Sequence, residues 1–539
     1  MSTQSQISNL LAAAGSLPQT PSGLTTNRLR ELAKAATYSE TRNERKKLDV
    51  LAPFTGEFFG SLPLGEPDDV VEACRRARKA QKSWAATTFS ARSTVFKRYH
   101  DRVLENHEEA LDLIQLESGK TRYDAFLEVG DVAVVSRYYA YHGEKAIARN
   151  SRPGLVPLLT QVEVNRVPVG VVGIIAPWNY PLTMAITDAI PALLAGNAVV
   201  IKPSEETPFS ALWAAEQLSA SGLPADLLHI IPGDGPTLGP TLIDSVDYLH
   251  FTGSTKTGET VAKQAAERLI GSSLELGGKN PLLVLEDADL DKAVHGAIRD
   301  SFASAGQLCM SAERIYVHQS LYESFVNRFA EKATRLKVGA GFGWDIDMGC
   351  LASAEQLDKV EAHVEDARRK GATIVTGGEA LPDLGPLFYA PTILTDVPET
   401  AELFGHETFG PVVSVYPFSS DDEAVALANG TEYGLTASIW TSSPSRGRSV
   451  ARQLRCGTVN INESYTAAWG STAAPMGGFG KSGIGRRHGE EGITKYTEAQ
   501  TIATQHLIPI APLTSMTTEA FAGVVLAGFK LIRKIPGLR

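Results

Sequence analysis

Two segments carry the chemistry most open to this chain: a lone cysteine among small residues, Ser304-Ala305-Gly306-Gln307-Leu308-Cys309-Met310-Ser311, and a glutamate ahead of two glycines, Leu274-Glu275-Leu276-Gly277-Gly278-Lys279. A thiol with a pKa of about 8.5 becomes a useful nucleophile when a base or a positive field favours the thiolate. Glu275 can act as that base, and the glycines let backbone approach a ligand closely. A glutamate at a strand end is equally often just solvated. The turn Pro177-Trp178-Asn179-Tyr180-Pro181 holds an amide, Asn179, able to donate to a developing oxyanion. Turns of that composition are also common as plain structure. The remaining cysteines, Cys74, Cys350 and Cys456, read as small core residues.

Two further segments stand where a nucleotide would be gripped. Gly253-Ser254-Thr255-Lys256-Thr257-Gly258 follows an apolar run and opens a helical pattern, so N–H groups at a helix start face outward for a phosphate. It is not GxGxxG, and alone it reads as well as an ordinary strand-to-helix turn. Ile201-Lys202-Pro203-Ser204-Glu205 also ends a strand, at the edge where doubly wound sheets bind their ligands. Lys202 and Glu205 there can hydrogen-bond the two hydroxyls of an adenosine ribose, or simply pair with each other as a loop ion pair.

The elements that must position these groups appear as pattern. Short β-branched runs alternate with longer stretches of helical period, the signature of βαβ units and a parallel sheet. Val169–Pro177, Asn197–Pro203, Leu227–Gly233 and Tyr248–Gly253 read as buried strands, with helices over Met184–Gly196, Phe209–Gly222 and Ser254–Leu269 between them. A second series starts after Gly277, with strands in Pro281–Leu285, Arg314–His318 and Thr458–Asn462. The fold class is α/β and doubly wound, in two lobes meeting near Gly277–Lys279, with helix-rich Asp68–Gly143 wrapping the first. Cys309 falls at the end of a predicted helix.

A length of 539 residues exceeds the roughly 250–300 at which one core stops growing, so two or three domains are expected. With 51 Lys+Arg against 61 Asp+Glu, nothing in the net charge of −10 favours nucleic acid. The four cysteines show no CxxC spacing, which argues against both a disulfide framework and a structural zinc site and fits a reducing compartment. The first charged residue is Arg28, so the basic start of a secretory signal is missing; a flexible extension leading to a short helix around Arg28–Thr37 and a cytoplasmic location are expected. Ala520–Phe529 is an apolar run that as a helix spans about 15 Å against a hydrocarbon core of about 30 Å, too short to cross a bilayer. With Lys530, Arg533 and Lys534 behind it, it docks on the protein or a partner subunit, or lies in a membrane interface.

Taken in order, Pro177–Pro181, Asn197–Pro208, Phe251–Gly258, Leu274–Pro281, the Gly306–Cys309 segment, Glu407–Val413 and Ala474–Gly485 resemble the motifs of the aldehyde dehydrogenase superfamily, over about Leu51 to Thr504. The resemblance implies a Rossmann-like cofactor domain (46–147 and 169–277), an α/β catalytic domain (278–486) and a small β oligomerisation flap (148–168 and 487–505). A flexible extension (1–45) and an amphipathic tail (506–539) flank them, and a homodimer or homotetramer follows. It further implies that Cys309 attacks an aldehyde carbonyl while Asn179 and the Cys309 backbone N–H hold the oxyanion. Hydride then passes to a nicotinamide, and Glu275 activates the water that hydrolyses the thioester.

The implied cofactor contacts are Trp178, Lys202, Ser204, Glu205, Gly253, Ser254, Leu276, Glu407 and Phe409, with Tyr465 and Trp469 at the substrate mouth and no metal. A Glu205 carboxylate about 4 Å from a 2′-phosphate charge costs roughly 4 kcal/mol at an effective dielectric near 20, so NAD is expected to be preferred with NADP possible. Glu275 likewise favours hydrolysis over thiolysis by coenzyme A. The stretches AERIYV, LFYAPTIL and AWGSTAAPMGGFGKSGIGRRHG look most like a succinate-semialdehyde dehydrogenase branch, making that semialdehyde the leading substrate. Well-known members of that branch grip the substrate carboxylate with arginines where this chain has Thr187 and Ala303, leaving Arg314 or residues elsewhere to supply the charge. An uncharged aliphatic or aromatic aldehyde is the alternative substrate. A cysteine hydrolase and a non-catalytic dinucleotide-binding scaffold are the alternatives of other classes.

Overall fold

The computed structural model describes residues 19–39, 45–155, 160–506 and 510–534. It forms two compact units, Met1–Ala146 with Pro168–Thr497, and Ile147–Val167 with Glu498–Arg539.

The first sheet of the larger unit is built on strands such as Val171–Ile175 and Ala198–Lys202, buried at every position. Parallel strands covered on both faces must be apolar throughout, which is why they read as unbroken runs. The strand order is Gly483–Ile484, Gly271–Glu275, Tyr248–Thr252, Val171–Ile175, Ala198–Lys202, Leu228–Ile230. From the central Val171–Ile175 the chain steps first to Ala198–Lys202 and Leu228–Ile230, then crosses to Tyr248–Thr252 and Gly271–Glu275 on the other side, all in parallel register. That reversal opens a crevice beyond the carboxyl ends of Val171–Ile175 and Tyr248–Thr252, the place where such sheets bind ligands. Gly483–Ile484 closes the edge, pairing antiparallel with Leu274–Glu275.

Four residues, Leu276-Gly277-Gly278-Lys279, lead from the first sheet into Asn280–Val284 of the second. The second sheet runs Thr373–Thr376, Thr392–Thr395, Val412–Phe418, Ala312–His318, Asn280–Val284, Thr436–Trp440, Thr458–Ile461. Leu282, Val284, Ile315 and Val317 pack there with Phe302, Phe325 and Phe329.

Three local expectations need correction. The helix expected over Met184–Gly196 is two short ones, Pro181–Ile186 and Ala189–Leu194. Pro191 lacks the N–H that would bond the Thr187 carbonyl, so the first helix cannot continue into the second, and buried Asp188 stands at the break. The helix before the lone cysteine, Leu290–Phe302, stops short of it. Ser304, Ala305 and Gly306 follow with φ of 49°, 55° and 69°, a left-handed turn that reverses the chain. Each non-glycine residue there costs about 1–2 kcal/mol of backbone strain. Asp124 Oδ2 holds the turn by accepting from the Ser304 N–H at 3.1 Å, and Tyr180 Oη lies 3.1 Å from Ser304 Oγ. A Cβ at Gly306 would collide with the Gly410 carbonyl. Third, within the segment expected to be flexible, residues 19–39 are packed: the helix Thr26–Ala33 buries Leu29, Leu32 and Ala33, and Arg28 donates to Glu109 and Glu216. The remainder of that stretch up to residue 18, with 40–44, lies outside the described residues.

In the smaller unit three strands lie in the order Thr497–Gln505, Thr160–Pro168, Asn150–Pro153, and a helix, Thr518–Ile532, is capped by Thr517 and buries none of its residues. Among the described residues no helix is long and apolar enough to cross a membrane.

A buried ion pair sets the loop after the central strand. Lys120 Nζ lies 2.6 Å from Glu128 Oε1 and donates at 2.6 Å to the Asn179 backbone carbonyl, while Glu128 Oε2 accepts from the N–H groups of Leu182 and Thr183. The ammonium also sits 3.7 Å above the Tyr180 ring. Removing one member leaves an uncompensated buried charge, so Lys120→Met is expected to destabilise the protein by about 3–5 kcal/mol. Chemical denaturation of the variant beside the parent chain checks this.

Candidate active site

A cleft of about 450 Å³ lies beyond the carboxyl ends of the central strands. Pro177–Tyr180 line it from the turn after Val171–Ile175, Thr252–Ser254 from the end of Tyr248–Thr252, and Glu275–Gly277 from the link between the sheets. Leu308–Met310 come from the loop after the left-handed turn, Glu407 and Phe409 from the loop before Val412–Phe418, and Tyr465 and Trp469 from the segment after Thr458–Ile461.

Each functional group is held through its neighbours. Asn179 donates through Nδ2 to the Gln307 carbonyl at 3.0 Å, which leaves the second amide hydrogen for another acceptor. Gln307 is fixed in turn by bonds from its Nε2 to Ser304 and Cys350 carbonyls and from the Ala352 N–H to its Oε1. Asn280 Nδ2 donates to the Cys309 carbonyl at 2.7 Å and to that of Ser311 at 2.9 Å, pinning the loop on which the thiol stands. The Glu407–Phe409 loop hangs on a buried Lys279–Glu313 pair, because Glu313 accepts from the N–H groups of Thr408 and Phe409. Phe409 meets the Trp178 ring edge-on at 5.5 Å.

The electrostatics are dominated by dryness. Burial, with the Glu275 and Glu407 carboxylates adding, pushes the Cys309 thiol up to about 12. The cleft by itself therefore holds a thiol, and the field at the sulfur is opposite to the one that would favour a thiolate. Burial also pushes Glu275 up to about 7, opposed by Arg487 and Lys495, and among the described residues Glu275 Oε1 has no hydrogen-bond partner. Burial pushes Glu407 up to about 7 as well, although its Oε1 accepts from the Gly278 N–H at 2.8 Å. Both carboxyls are poised to change charge near neutrality.

Of the residues singled out from the sequence, Trp178, Asn179, Gly253, Ser254, Glu275, Leu276, Cys309, Glu407, Phe409, Tyr465 and Trp469 line this one cleft. Lys202, Ser204 and Glu205 do not; they stand at the end of Ala198–Lys202, where Lys202 Nζ and Glu205 Oε2 lie 2.9 Å apart, and only the following Glu206 reaches the lining. Arg314 is excluded as a source of charge for a substrate: it is buried elsewhere, donating to the carbonyls of Lys279, Leu427 and Ala428. The cations of the lining are Lys359 and Arg487. Sequence reading gave no role to either, nor to Asn280: Lys359 lies outside every quoted segment, and Asn280 and Arg487, though inside quoted stretches, act through contacts that residue type and spacing do not show.

The residues present fit a nicotinamide dinucleotide. The first turn of the helix Thr255–Glu267, capped by Ser254 Oγ on the Thr257 N–H, presents backbone donors at the cleft, and Gly277 has no side chain where a Cβ would strike the Glu407 carboxylate.

The sequence pattern of the aldehyde dehydrogenase family matches residues 39–502. A protein of Mycolicibacterium smegmatis, provisionally named a succinate-semialdehyde dehydrogenase, NADP(+), is 44% identical over 517 residues, covering 96% of this chain and 99% of the relative. The Escherichia coli K12 succinate-semialdehyde dehydrogenase, NADP(+), GabD is 36% identical, over 85% of this chain and 94% of that one. Among solved structures, a betaine aldehyde dehydrogenase of Staphylococcus aureus in complex with NAD+ superposes with a TM-score of 0.84 at 31% identity, over 96% of this chain and 99% of that one. The lone thiol, the dry carboxylate and the amide that share the crevice at the strand reversal are thus those of a chain that belongs to the aldehyde dehydrogenase family.

Proposed function

We propose that this enzyme oxidises an aldehyde to the carboxylic acid with Cys309 as nucleophile, Glu275 as base and Asn179 as oxyanion donor. The observation that carries the reading is their convergence on one cleft at the strand reversal. Trp178, Gly253, Ser254, Leu276, Glu407 and Phe409 would hold the dinucleotide there, with Lys202, Ser204 and Glu205 at its adenosine end. Bound in that place, the oxidised dinucleotide supplies a hydride acceptor and a positive charge.

Glu275 takes the thiol proton as the Cys309 sulfur bonds to the carbonyl carbon. The free Asn179 amide hydrogen and the Cys309 N–H donate to the oxygen that becomes negative. When the C=O bond re-forms, hydride leaves the carbon and a thioester remains on Cys309. Having released its first proton, Glu275 accepts another from water, whose oxygen bonds to the acyl carbon while the C–S pair returns to sulfur. Because Glu275 must be ionised for this and stands near 7, turnover rises as the pH passes through about 7.

Succinate semialdehyde is the leading substrate, supported by the names of the two relatives. The aromatic wall of Tyr180, Tyr465 and Trp469 supports an uncharged aldehyde as the second reading. Glu205 opposes a 2′-phosphate and supports NAD, but its pair with Lys202 offsets part of that charge, and the NADP(+) in the names of the same two relatives runs against the preference. The exposed strand Glu498–Gln505 supports an oligomerisation flap in a dimer or tetramer, and four free thiols support a reducing compartment such as the cytoplasm.

Cys309→Ala should abolish aldehyde-dependent formation of the reduced dinucleotide. Followed by stopped-flow absorbance, Glu275→Gln should keep the amplitude of a first-turnover burst, formed more slowly because the thiol has lost its proton acceptor, and lose about 10²–10⁴-fold in steady-state rate. A full burst followed by unimpaired turnover in the glutamine variant refutes the assigned base. Across a panel of aldehydes, kcat/KM is expected to be higher for succinate semialdehyde than for butanal, and higher with NAD than with NADP. Equal or greater efficiency with butanal selects the second reading, and equal or greater efficiency with NADP removes the cofactor preference.

A further inference from the structure

Arg487 stands in the cleft wall beside the hydrolytic base without belonging to any predicted site residue. The strand Gly483–Ile484 pairs with Leu274–Glu275, Gly483 opposite Glu275, and the chain then returns so that Arg487 exchanges both backbone hydrogen bonds with Met476, at 2.8 and 2.7 Å. Both Met476 and Arg487 line the cleft, as does Met184, whose sulfur lies 3.2 Å from Arg487 Nη1. Nη2 donates to Thr187 Oγ1 and lies 3.0 Å from Asp188 Oδ2.

Asp188 anchors more than this one cation. Lys495 Nζ reaches it at 2.9 Å, the Tyr496 hydroxyl at 3.0 Å and His250 Nε2 at 3.2 Å. Every member of the cluster is buried or nearly so. Arg487 and Lys495 bring two positive charges against one carboxylate, and burial pushes His250 down to about 4, so it is neutral. One positive charge is left over. Asp131, on the long helix Arg122–Ile147, is the nearby acid that burial pushes up to about 7 and holds partly protonated. Among the described residues, the buried polar atoms without a hydrogen-bond partner include the Arg487 Nε donor and the Glu275 Oε1 acceptor, along with Asp188 Oδ2 and Asp131 Oδ2.

We propose that Arg487, anchored by Asp188, is a positioning residue for Glu275: it supplies the positive charge against which that carboxylate ionises and the N–H donor that orients it or the water it activates. This rests on the hydrolytic reading above. The groups that bear on Glu275 are Arg487 and Arg486 after the Gly483–Ile484 strand, Lys495, Asp188 between the two short helices, and the Cys309 thiol. Of these, Arg487 is the cation that shares the cleft lining with Glu275.

The test compares Arg487→Met, Arg487→Lys and Asp188→Asn with the parent enzyme, in pH profiles of steady-state turnover and of the first-turnover burst. Arg487→Met is expected to move the rising limb of turnover upward by about one unit, a tenfold loss on the limb, with burst amplitude and aldehyde KM kept within about twofold. Arg487→Lys restores the limb toward the parent value. Asp188→Asn, which removes a negative charge, moves it the opposite way, a change that mere loosening of the fold does not produce.

A folded Arg487→Met enzyme with an unmoved limb overturns the proposal. So does a KM increase confined to carboxylated aldehydes, which would make Arg487 a substrate contact. Should Arg487→Met not fold, an unmoved or raised limb in Asp188→Asn overturns it. If the parent enzyme forms an acyl-enzyme but does not hydrolyse it, the reading of Glu275 as hydrolytic base fails. The infrared carboxyl signal of Glu275, assigned by its loss in Glu275→Gln, still reports whether Arg487→Lys keeps the parent titration and Asp188→Asn lowers it. An unchanged signal in Asp188→Asn refutes the coupling independently of activity.

Discussion

Dryness is the constraint from which the chemistry follows. A thiol and two carboxyls, Cys309, Glu275 and Glu407, share a cleft in which burial is the first cause holding each toward its neutral form. A group kept neutral by lost hydration responds strongly to any charge placed near it, since little water remains to screen that charge. The protein therefore need not build a permanent thiolate. A modest change of field, such as a nearby cation brings, is enough to shift the proton affinity of such groups.

Keeping such a site dry and still requires loops that do not wander, and buried ion pairs hold them. Lys120–Glu128 fixes the Asn179 turn, Lys279–Glu313 the Glu407–Phe409 loop, and Asp188–Arg487 the far wall. Burying charges costs several kcal/mol per ion before attraction offsets it, so these pairs are poor devices for raising stability. Their common property is that each also bonds backbone or side-chain atoms of a segment lining the cleft. The left-handed turn at Ser304–Gly306 belongs to the same scheme, with strain in the chain balanced by the Asp124 and Gln307 contacts.

Much of the fold was legible before any coordinate. The strands at Val171–Ile175 and Ala198–Lys202 are apolar at all but one position because both faces are covered, and that continuity survives in the sequence. The break at Thr187–Asp188 was less legible, since its cause, the missing N–H of Pro191, lies inside an otherwise helical run. The left-handed path at Ser304 and Ala305 had no signal at all, because neither residue type announces a positive φ; only the contacts around the turn impose it.

The site divides in the same way. Residue type made Cys309, Glu275 and Asn179 candidates, because nucleophile, base and amide donor are chemical identities carried by single side chains, but it was the resemblance of the ordered motifs to the aldehyde dehydrogenase superfamily that singled them out. What burial does to them is not such an identity. The upward push on Cys309 and Glu275, the pairing of Lys202 with Glu205, the removal of Arg314 to another part of the core and the arrival of Arg487 in the same cleft lining as Glu275 all depend on which distant segments pack together. Desolvation and Coulomb energy are functions of distance in space, and only the folded chain decides those distances.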